Sequence, residues 1–124
     1  MLDSVRSIES IFREVEDVAD FSGHTIGSVS YKNGYGDTPL HIVSEWGDSE
    51  AIELLVLAGA DINARGETGF TPLHCAVEQN KPDAILTLLR LGAIILENDD
   101  GHTPMQLAKI LKHEESLHIL GQGT

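Results

Sequence analysis

The hydrophobic and polar positions at the start of the chain predict an amphipathic helix. Val5, Ile8, Phe12 and Val15 recur every three or four residues, and charged side chains fill positions between them. This spacing places the apolar residues on one face of a helix. We therefore expect a helix over roughly residues 3–20 that is apolar on one side and solvated on the other.

Two later segments are apolar around most of a helical circumference. Residues 51–56 and 84–89 consist mainly of Ala, Ile and Leu, and each is followed within three residues by a glycine, Gly59 or Gly92. Helices of this composition pack against neighbours on two sides. Glycine is frequent just after a helix C-terminus, so we expect two buried helices that end near these glycines.

A six-residue phrase occurs three times at nearly constant spacing. Its copies start at Gly36, Gly69 and Gly101, and they read Gly-Asp-Thr-Pro-Leu-His, Gly-Phe-Thr-Pro-Leu-His and Gly-His-Thr-Pro-Met-Gln. Threonine is a good N-cap, and proline fits the first helical position because an N–H is not needed there. Each copy therefore predicts the start of a short helix. These helices are expected to run to Gly47, Asn80 and about Lys112.

The phrase, its period and the helix pairs closely resemble the ankyrin repeat over roughly residues 21–120. This resemblance implies an all-α repeat solenoid of helix-turn-helix units, with short β-hairpin loops and an N-terminal capping helix. We expect a single domain over residues 1–124. Its expected parts are a capping helix at 1–22, an extended hairpin finger at 23–35, repeats at 36–68 and 69–100, and a C-terminal capping repeat at 101–124.

The loops before the first and third phrases depart from the regular spacing. From Gly59 to Gly69 is 10 residues, whereas the first loop takes 13 and contains Tyr31-Lys32-Asn33-Gly34-Tyr35. Its Asn-Gly pair favours a tight hairpin turn, so an enlarged finger bearing aromatic residues is expected. The third loop is one residue short and reads Ile94-Ile95-Leu96-Glu97, which predicts an irregular hairpin.

Composition and charge exclude several classes of function. The 124 residues carry 8 Lys and Arg against 20 Asp and Glu, a net charge of −12. Such a chain lacks the basic excess that nucleic-acid binding requires. With no apolar run of about 18 residues, no membrane span is expected. One cysteine forms no internal disulfide, so the cytoplasm is the expected compartment.

Residues that could carry chemistry have simpler structural interpretations. The resemblance implies that His41 and His74 form hydrogen bonds within and between repeats. Cys75 follows His74 directly, and adjacent helical residues point in different directions, so a core position is expected. Asn98-Asp99-Asp100-Gly101 lacks the alternating ligands of a calcium loop. The chain therefore predicts no enzyme, cofactor or metal site.

The resemblance instead implies a protein-binding face on the concave side of the solenoid. In ankyrin proteins, partners bind the loop tips and the exposed side of each first helix. Counting from each phrase, we predict these partner-binding residues: Asn33, Tyr35, Asp37, Glu45, Trp46, Arg65, Glu67, Thr68, Phe70, Glu78, Gln79, Asp99, Asp100, His102, Ile110 and Leu111.

Aromatic and acidic residues give this face its expected character. Tyr35, Trp46 and Phe70 account for half of the six aromatic residues, and exposed aromatic rings are preferred binding anchors. The alternative is that they cover their own repeat junctions. The acids predict a negative field that attracts a basic protein, although acids also keep a small repeat protein soluble.

Several biological roles fit this interpretation. A small acidic ankyrin chain, monomeric when free, resembles dedicated bacterial inhibitors, including immunity proteins that block a toxin's active site. A general scaffold or regulatory adaptor with several clients is an alternative. A self-associating structural protein is another, and it would bury Ile110, Leu111 and the loop at residues 94–96.

Overall fold

The computed structural model describes residues 6–122, which form seven α-helices. The helices are α1 (Ile8–Glu16), α2 (Pro39–Trp46), α3 (Ser49–Leu57), α4 (Pro72–Glu78), α5 (Pro82–Arg90), α6 (Pro104–Leu111) and α7 (Glu114–Gln122). Two single 3-10 turns, Ala19–Phe21 and Glu67–Gly69, lie in the connecting segments. None of these helices has the length and apolar character needed to cross a lipid bilayer.

The helices form two parallel layers. The first helix of each unit packs on the next, α2 on α4 and α4 on α6, to form the inner layer. The second helices, α3, α5 and α7, stack in the same order to form the outer layer, and α1 covers the front of α2 and α3. This arrangement confirms the expected all-α repeat solenoid, whose core lies between the layers.

Threonine caps start the inner helices where the sequence predicts. Thr38, Thr71 and Thr103 precede proline at the first helical position, and each pairs reciprocally with the residue three positions later. Helix α2 ends before Gly47, which adopts a left-handed φ of 76°. The ends of the other two helices lie slightly earlier than expected, because Asn80 and Lys112 adopt left-handed conformations outside the helix.

The front cap is shorter than expected. Helix α1 begins only after Ser7, whose hydroxyl accepts the Ser10 N–H and closes the N-terminus. It ends at Glu16, and a 3-10 turn replaces the rest of the predicted helix; residues 3–5 lie outside the described part. Ile11 and Val15 are fully buried against the first repeat, so the capping role is retained by a shorter element.

The loops are tight turns, and the expectation of β-hairpins is wrong for residues 6–122, which contain no strand. In each turn a backbone bond joins two residues four positions apart: Asn33 N–H to Asp37 O, Gly66 N–H to Phe70 O, and Asn98 N–H to His102 O. An isolated two-stranded hairpin is only marginally stable in water. Here the loops are held instead by hydrogen bonds to neighbouring loops.

The enlarged first loop folds back on the front cap and does not project as a finger. The His24 ring nitrogen Nδ1 lies 2.6 Å from the Tyr31 hydroxyl, and both rings pack near Phe21. The Ile26 N–H donates to a Glu16 carboxylate oxygen at 2.8 Å. One aromatic residue of this loop, Tyr31, is therefore structural.

The third loop is irregular, as its sequence predicts. Ile94 and Ile95 are about half exposed and form no strand. The Ile94 N–H donates to the Asn63 side-chain oxygen at 3.0 Å, and the Arg65 guanidinium donates to Glu97 O at 2.6 Å. The preceding loop therefore holds this loop in place.

Candidate functional site

Two buried histidines join the repeats, which confirms their structural role. In both, Nδ1 accepts the backbone N–H of the preceding threonine, Thr38 or Thr71. Nε2 must then carry the proton, and it donates at 2.9 Å to a carbonyl of the next repeat, Phe70 O for His41 and His102 O for His74. Burial lowers the pKa of both histidines, so they are neutral connectors at neutral pH.

Asn33 and Asp37 are buried, so the expectation that they are exposed to a partner is wrong. The Asn33 side-chain oxygen accepts the N–H groups of Tyr35 and Asp37, and its amide donates to Asp20 O. One Asp37 carboxylate oxygen accepts the Glu67 N–H at 2.9 Å. Both side chains are 6% exposed because backbone groups of the loops surround them.

An open cleft lies where the first two repeats meet on the inner layer. It has a volume of about 260 Å³. The inner helices α2 and α4 contribute side chains, as do the two loops that precede them. Its lining residues are Asp37, Glu45, Glu67, Thr68, Phe70, Cys75 and Glu78. Six of the predicted partner-binding residues are therefore brought together in one place.

Burial and neighbouring carboxylates raise the pKa of two acids in this acidic cleft. Partial burial, together with the charges of Asp37, Glu78, Asp20 and Glu67, raises the pKa of Glu45 to about 7. Partial burial and Glu67 also raise the pKa of Glu78. Bringing like charges together disfavours the ionised form. At neutral pH, Glu45 is therefore divided between its charged and protonated forms.

Cys75 belongs to both the core and the cleft, a position that the sequence reasoning missed. It is 4% exposed, and burial, followed by the surrounding carboxylates, raises its pKa well above the ordinary value. Its thiol therefore stays protonated and is a poor nucleophile. The available signal was its spacing from Glu78, because residues three apart share a helix face.

The three expected aromatic anchors differ in exposure. Tyr35 is 56% exposed on the first loop, and Trp46 is 38% exposed at the end of α2. Phe70 is only partly exposed, and its ring lies 5.2 Å from the ring of His74. Two of the rings are therefore available on the surface, whereas the third forms part of the cleft wall.

The other predicted partner-binding residues lie outside the cleft. Gln79, Ile110 and Leu111 are exposed at or beside the ends of the inner helices. In the loops, Asp99 and Asp100 are exposed, His102 is half-buried, and Arg65 is exposed but bonded to the third loop. Among residues 6–122, no three His, Cys, Asp or Glu side chains are grouped as metal ligands would be.

Known proteins resemble this chain in its repeated segments. Residues 17–99 and 40–123 match the model described as ankyrin repeats (3 copies). Over 73 residues, the chain is 45% identical to protein phosphatase 1 regulatory subunit 27 of Mus musculus, a match covering 58% of this chain and 47% of that protein. Over 48 residues, it is 44% identical to an ankyrin repeat protein of Rickettsia bellii (strain RML369-C), covering 36% and 29%.

The chain thus spans less than half the length of both relatives. Ankyrin repeats generally mediate protein–protein interactions. Together with the Thr-Pro caps, the bridging histidines and the two stacked helix layers, the match over most of the sequence shows that this chain belongs to the ankyrin-repeat family.

Proposed function

We propose that this chain is a non-catalytic docking module that binds a basic, folded protein through its acidic cleft. The observation that supports the proposal most directly is the absence of compensating charge. Glu45, Glu67 and Glu78 form no ion pair within residues 6–122, and no lysine, arginine or histidine lines the cleft. A partner that supplies Lys or Arg provides the missing charges.

Some acids outside the cleft, in contrast, are compensated by arginine. At the front of the solenoid, Arg6 pairs with Glu14, Asp48 and Glu50. On the outer layer, Arg90 pairs with Glu53. The cleft therefore concentrates unpaired negative charge on the inner layer, and a field of this kind increases the rate at which a basic partner associates.

Exposed aromatic residues supply apolar contact area near the charge. Trp46 immediately follows Glu45 at the end of α2, and Tyr35 lies on the loop that precedes the same helix. Interfaces commonly combine such anchors with a polar rim. If Trp46 is an anchor, Trp46→Ala lowers partner affinity by about 2 kcal/mol. Titration calorimetry measures this, and unchanged affinity removes Trp46 from the site.

We favour a regulatory or inhibitory role over a structural one. The mouse relative is named as a regulatory subunit, and a cleft with preformed negative charge can cover a basic surface on its target. A toxin-immunity protein is one form of such an inhibitor. A general adaptor with several clients is the alternative, and its binding would be weaker and less sensitive to salt.

The test compares two triple variants with the same net charge. In one, Glu45, Glu67 and Glu78 are changed to Gln. In the other, three exposed acids away from the cleft are neutralised: Asp17→Asn, Asp83→Asn and Glu115→Gln. Wild type and both variants serve as bait for affinity capture, and the affinity of any captured protein is measured at low and high salt.

We expect a stoichiometric basic protein on the wild-type bait and on the control bait but not on the cleft variant. Its affinity should fall steeply as salt is raised, because charge pairs at a wet interface are screened. Retention of the partner by the cleft variant would contradict the proposal. Equal loss from both variants would also contradict it, because it would show an effect of net charge alone.

A further inference from the structure

The acidic cleft contains a carboxylate whose charged neighbours among the described residues of the cleft are all acids. Glu45 on α2 is faced by Asp37 from the first loop, Glu67 from the second loop and Glu78 from α4. Asp20, beside the front cap, adds a further negative charge at longer range. Partial burial and the repulsion from these charges disfavour ionisation of Glu45, so a positive charge in the cleft would stabilise its ionised form.

Two other groups in the wall indicate which positive charge fits. Cys75 is more than nine-tenths buried, and burial keeps its thiol protonated, so it adds no charge to the cleft. The partly exposed Phe70 ring also lines the cleft. The cleft therefore offers several carboxylate acceptors and one aromatic surface, and none of the described residues that line it is a lysine, arginine or histidine.

An arginine side chain matches these groups better than a lysine side chain. Its guanidinium carries five N–H donors in a plane, so it can bond to two carboxylates at once. The same plane can stack on an aromatic ring. Lysine presents a compact, strongly hydrated charge with no such plane. The chemistry of the walls therefore favours arginine.

We propose that a partner's arginine enters this cleft, where its guanidinium bonds to the carboxylates of Glu45 and Glu78 and stacks on the Phe70 ring. Where Glu45 is protonated, its proton leaves the carboxyl oxygen for solvent and the carboxylate then accepts N–H bonds from the guanidinium, so binding weakens under mildly acidic conditions. This inference rests on the proposed function and adds to it a ligand group and a dependence on pH.

The size of the pH effect follows from the titration of Glu45. With a pKa of about 7 in the free protein, Glu45 is mostly ionised at pH 8 and mostly protonated at pH 6. Arginine stabilises the ionised form, so the affinity for arginine is about tenfold lower at pH 6 than at pH 8. About half a proton is released for each binding event at pH 7.

The probe is a blocked peptide, acetyl-(Gly-Arg)₃-amide, which has no group that titrates between pH 6 and 8. Titration calorimetry at pH 6, 7 and 8, in two buffers that differ in ionisation enthalpy, gives both affinity and proton release. Acetyl-(Gly-Lys)₃-amide is the matched peptide of equal charge. We expect it to bind about threefold more weakly, because it loses stacking on Phe70.

Two protein variants complete the design. Glu45→Gln keeps the shape of the side chain and lowers the repulsion in the cleft, so it remains folded. We expect its affinity to depend much less on pH than that of the wild type and to lie close to the wild-type value at pH 6. Glu115→Gln removes one exposed acid from the outer layer, and it should keep the wild-type pH dependence.

Each unfavourable result contradicts a different part of the proposal. Constant wild-type affinity from pH 6 to 8, or an unchanged slope in Glu45→Gln, overturns the proton linkage. Equal binding of the lysine peptide overturns the preference for arginine, and no binding of either peptide overturns the arginine site. The proposed function fails separately, through retention of the captured partner by the triple cleft variant.

Discussion

The polar groups that join the repeats have hydrogen-bond partners, whereas the acids of the cleft have no partner of opposite charge among the described residues, although both sets lie within the same two repeats. His41 uses both ring nitrogens, and Asp37 accepts the N–H of Glu67 in the neighbouring loop. By contrast, Glu45 and Glu78 have no partner of opposite charge in the described chain. Satisfied polar groups stabilise the fold, whereas the unsatisfied acids of the cleft are available to a partner.

The largest expected effect comes from removing a satisfied group. His41→Ala leaves the Thr38 N–H without its acceptor, removes one of the two N–H donors to Phe70 O and opens a cavity, so we expect a loss of about 3 kcal/mol in the free energy of unfolding. Urea denaturation measures it. His102→Ala is the control, because the His102 ring accepts and donates no hydrogen bond in the described structure.

The same histidine gives the fold a dependence on pH. Its pKa is lowered by burial from the usual 6.5, so the unfolded chain binds a proton more readily than the folded one. The contribution of neutral His41 is therefore present above about pH 6.5 and is lost as the pH falls. His41→Ala should reduce this loss, which urea denaturation at several pH values measures. If the free energy of unfolding falls equally in both proteins as the pH is lowered, His41 is not the group responsible.

A smaller effect is expected where a glycine allows the two loops to approach. A Cβ at Gly66 would collide with the Asp37 carboxylate and crowd the His41 ring. Gly66→Ala must displace both groups, and we expect it to cost about 2 kcal/mol in urea denaturation. Gly34→Ala is the matched control, since nothing lies within 4 Å of its added carbon, and equal losses would refute the packing argument.

The smallest effect has the opposite sign and comes from the cleft. Glu45 has a folded pKa of about 7 against an ordinary value of 4.5, so its ionisation weakens the folded state as the pH rises through this window. After allowance for solvent screening at this half-exposed position, Glu45→Gln should stabilise the protein by about 1 kcal/mol at pH 8. Near pH 4.5 the two proteins should unfold alike.

Thermal unfolding at several pH values provides this comparison between wild type and Glu45→Gln. If Glu45→Gln is more stable than the wild type at pH 8 but not at pH 4.5, the acids of the cleft differ from the hydrogen-bonded groups between the repeats as we propose. A loss of stability at pH 8 would mean that Glu45 has a stabilising partner, and the contrast would not hold.

The helical fold could be predicted because its signals are local. A threonine cap followed by proline fixes where an inner helix starts, and the same pair recurs at Thr38, Thr71 and Thr103. The two histidines follow from the same phrase. Their second hydrogen bond, to the next repeat, was expected only from the family resemblance.

The site could be predicted only in part, because the position of a residue within its repeat does not determine how exposed its side chain is. Asp37, Phe70 and His102 occupy the same position in successive units, yet Asp37 is buried and the other two are partly exposed. The difference depends on which neighbouring backbone group each side chain meets. Glu45 and Glu78 are 33 residues apart, so their proximity follows from the period, but the shift in their pKa depends on burial and on charges from four separate segments.

The bridging histidines also imply how the repeats come apart. Because each imidazole caps its own helix with one nitrogen and holds the following unit with the other, detaching a unit leaves a buried donor of the preceding unit without an acceptor. Adjacent units are then expected to open together, as in a row of strongly coupled elements. Amide hydrogen exchange should accordingly report nearly uniform protection across α2, α4 and the start of α6.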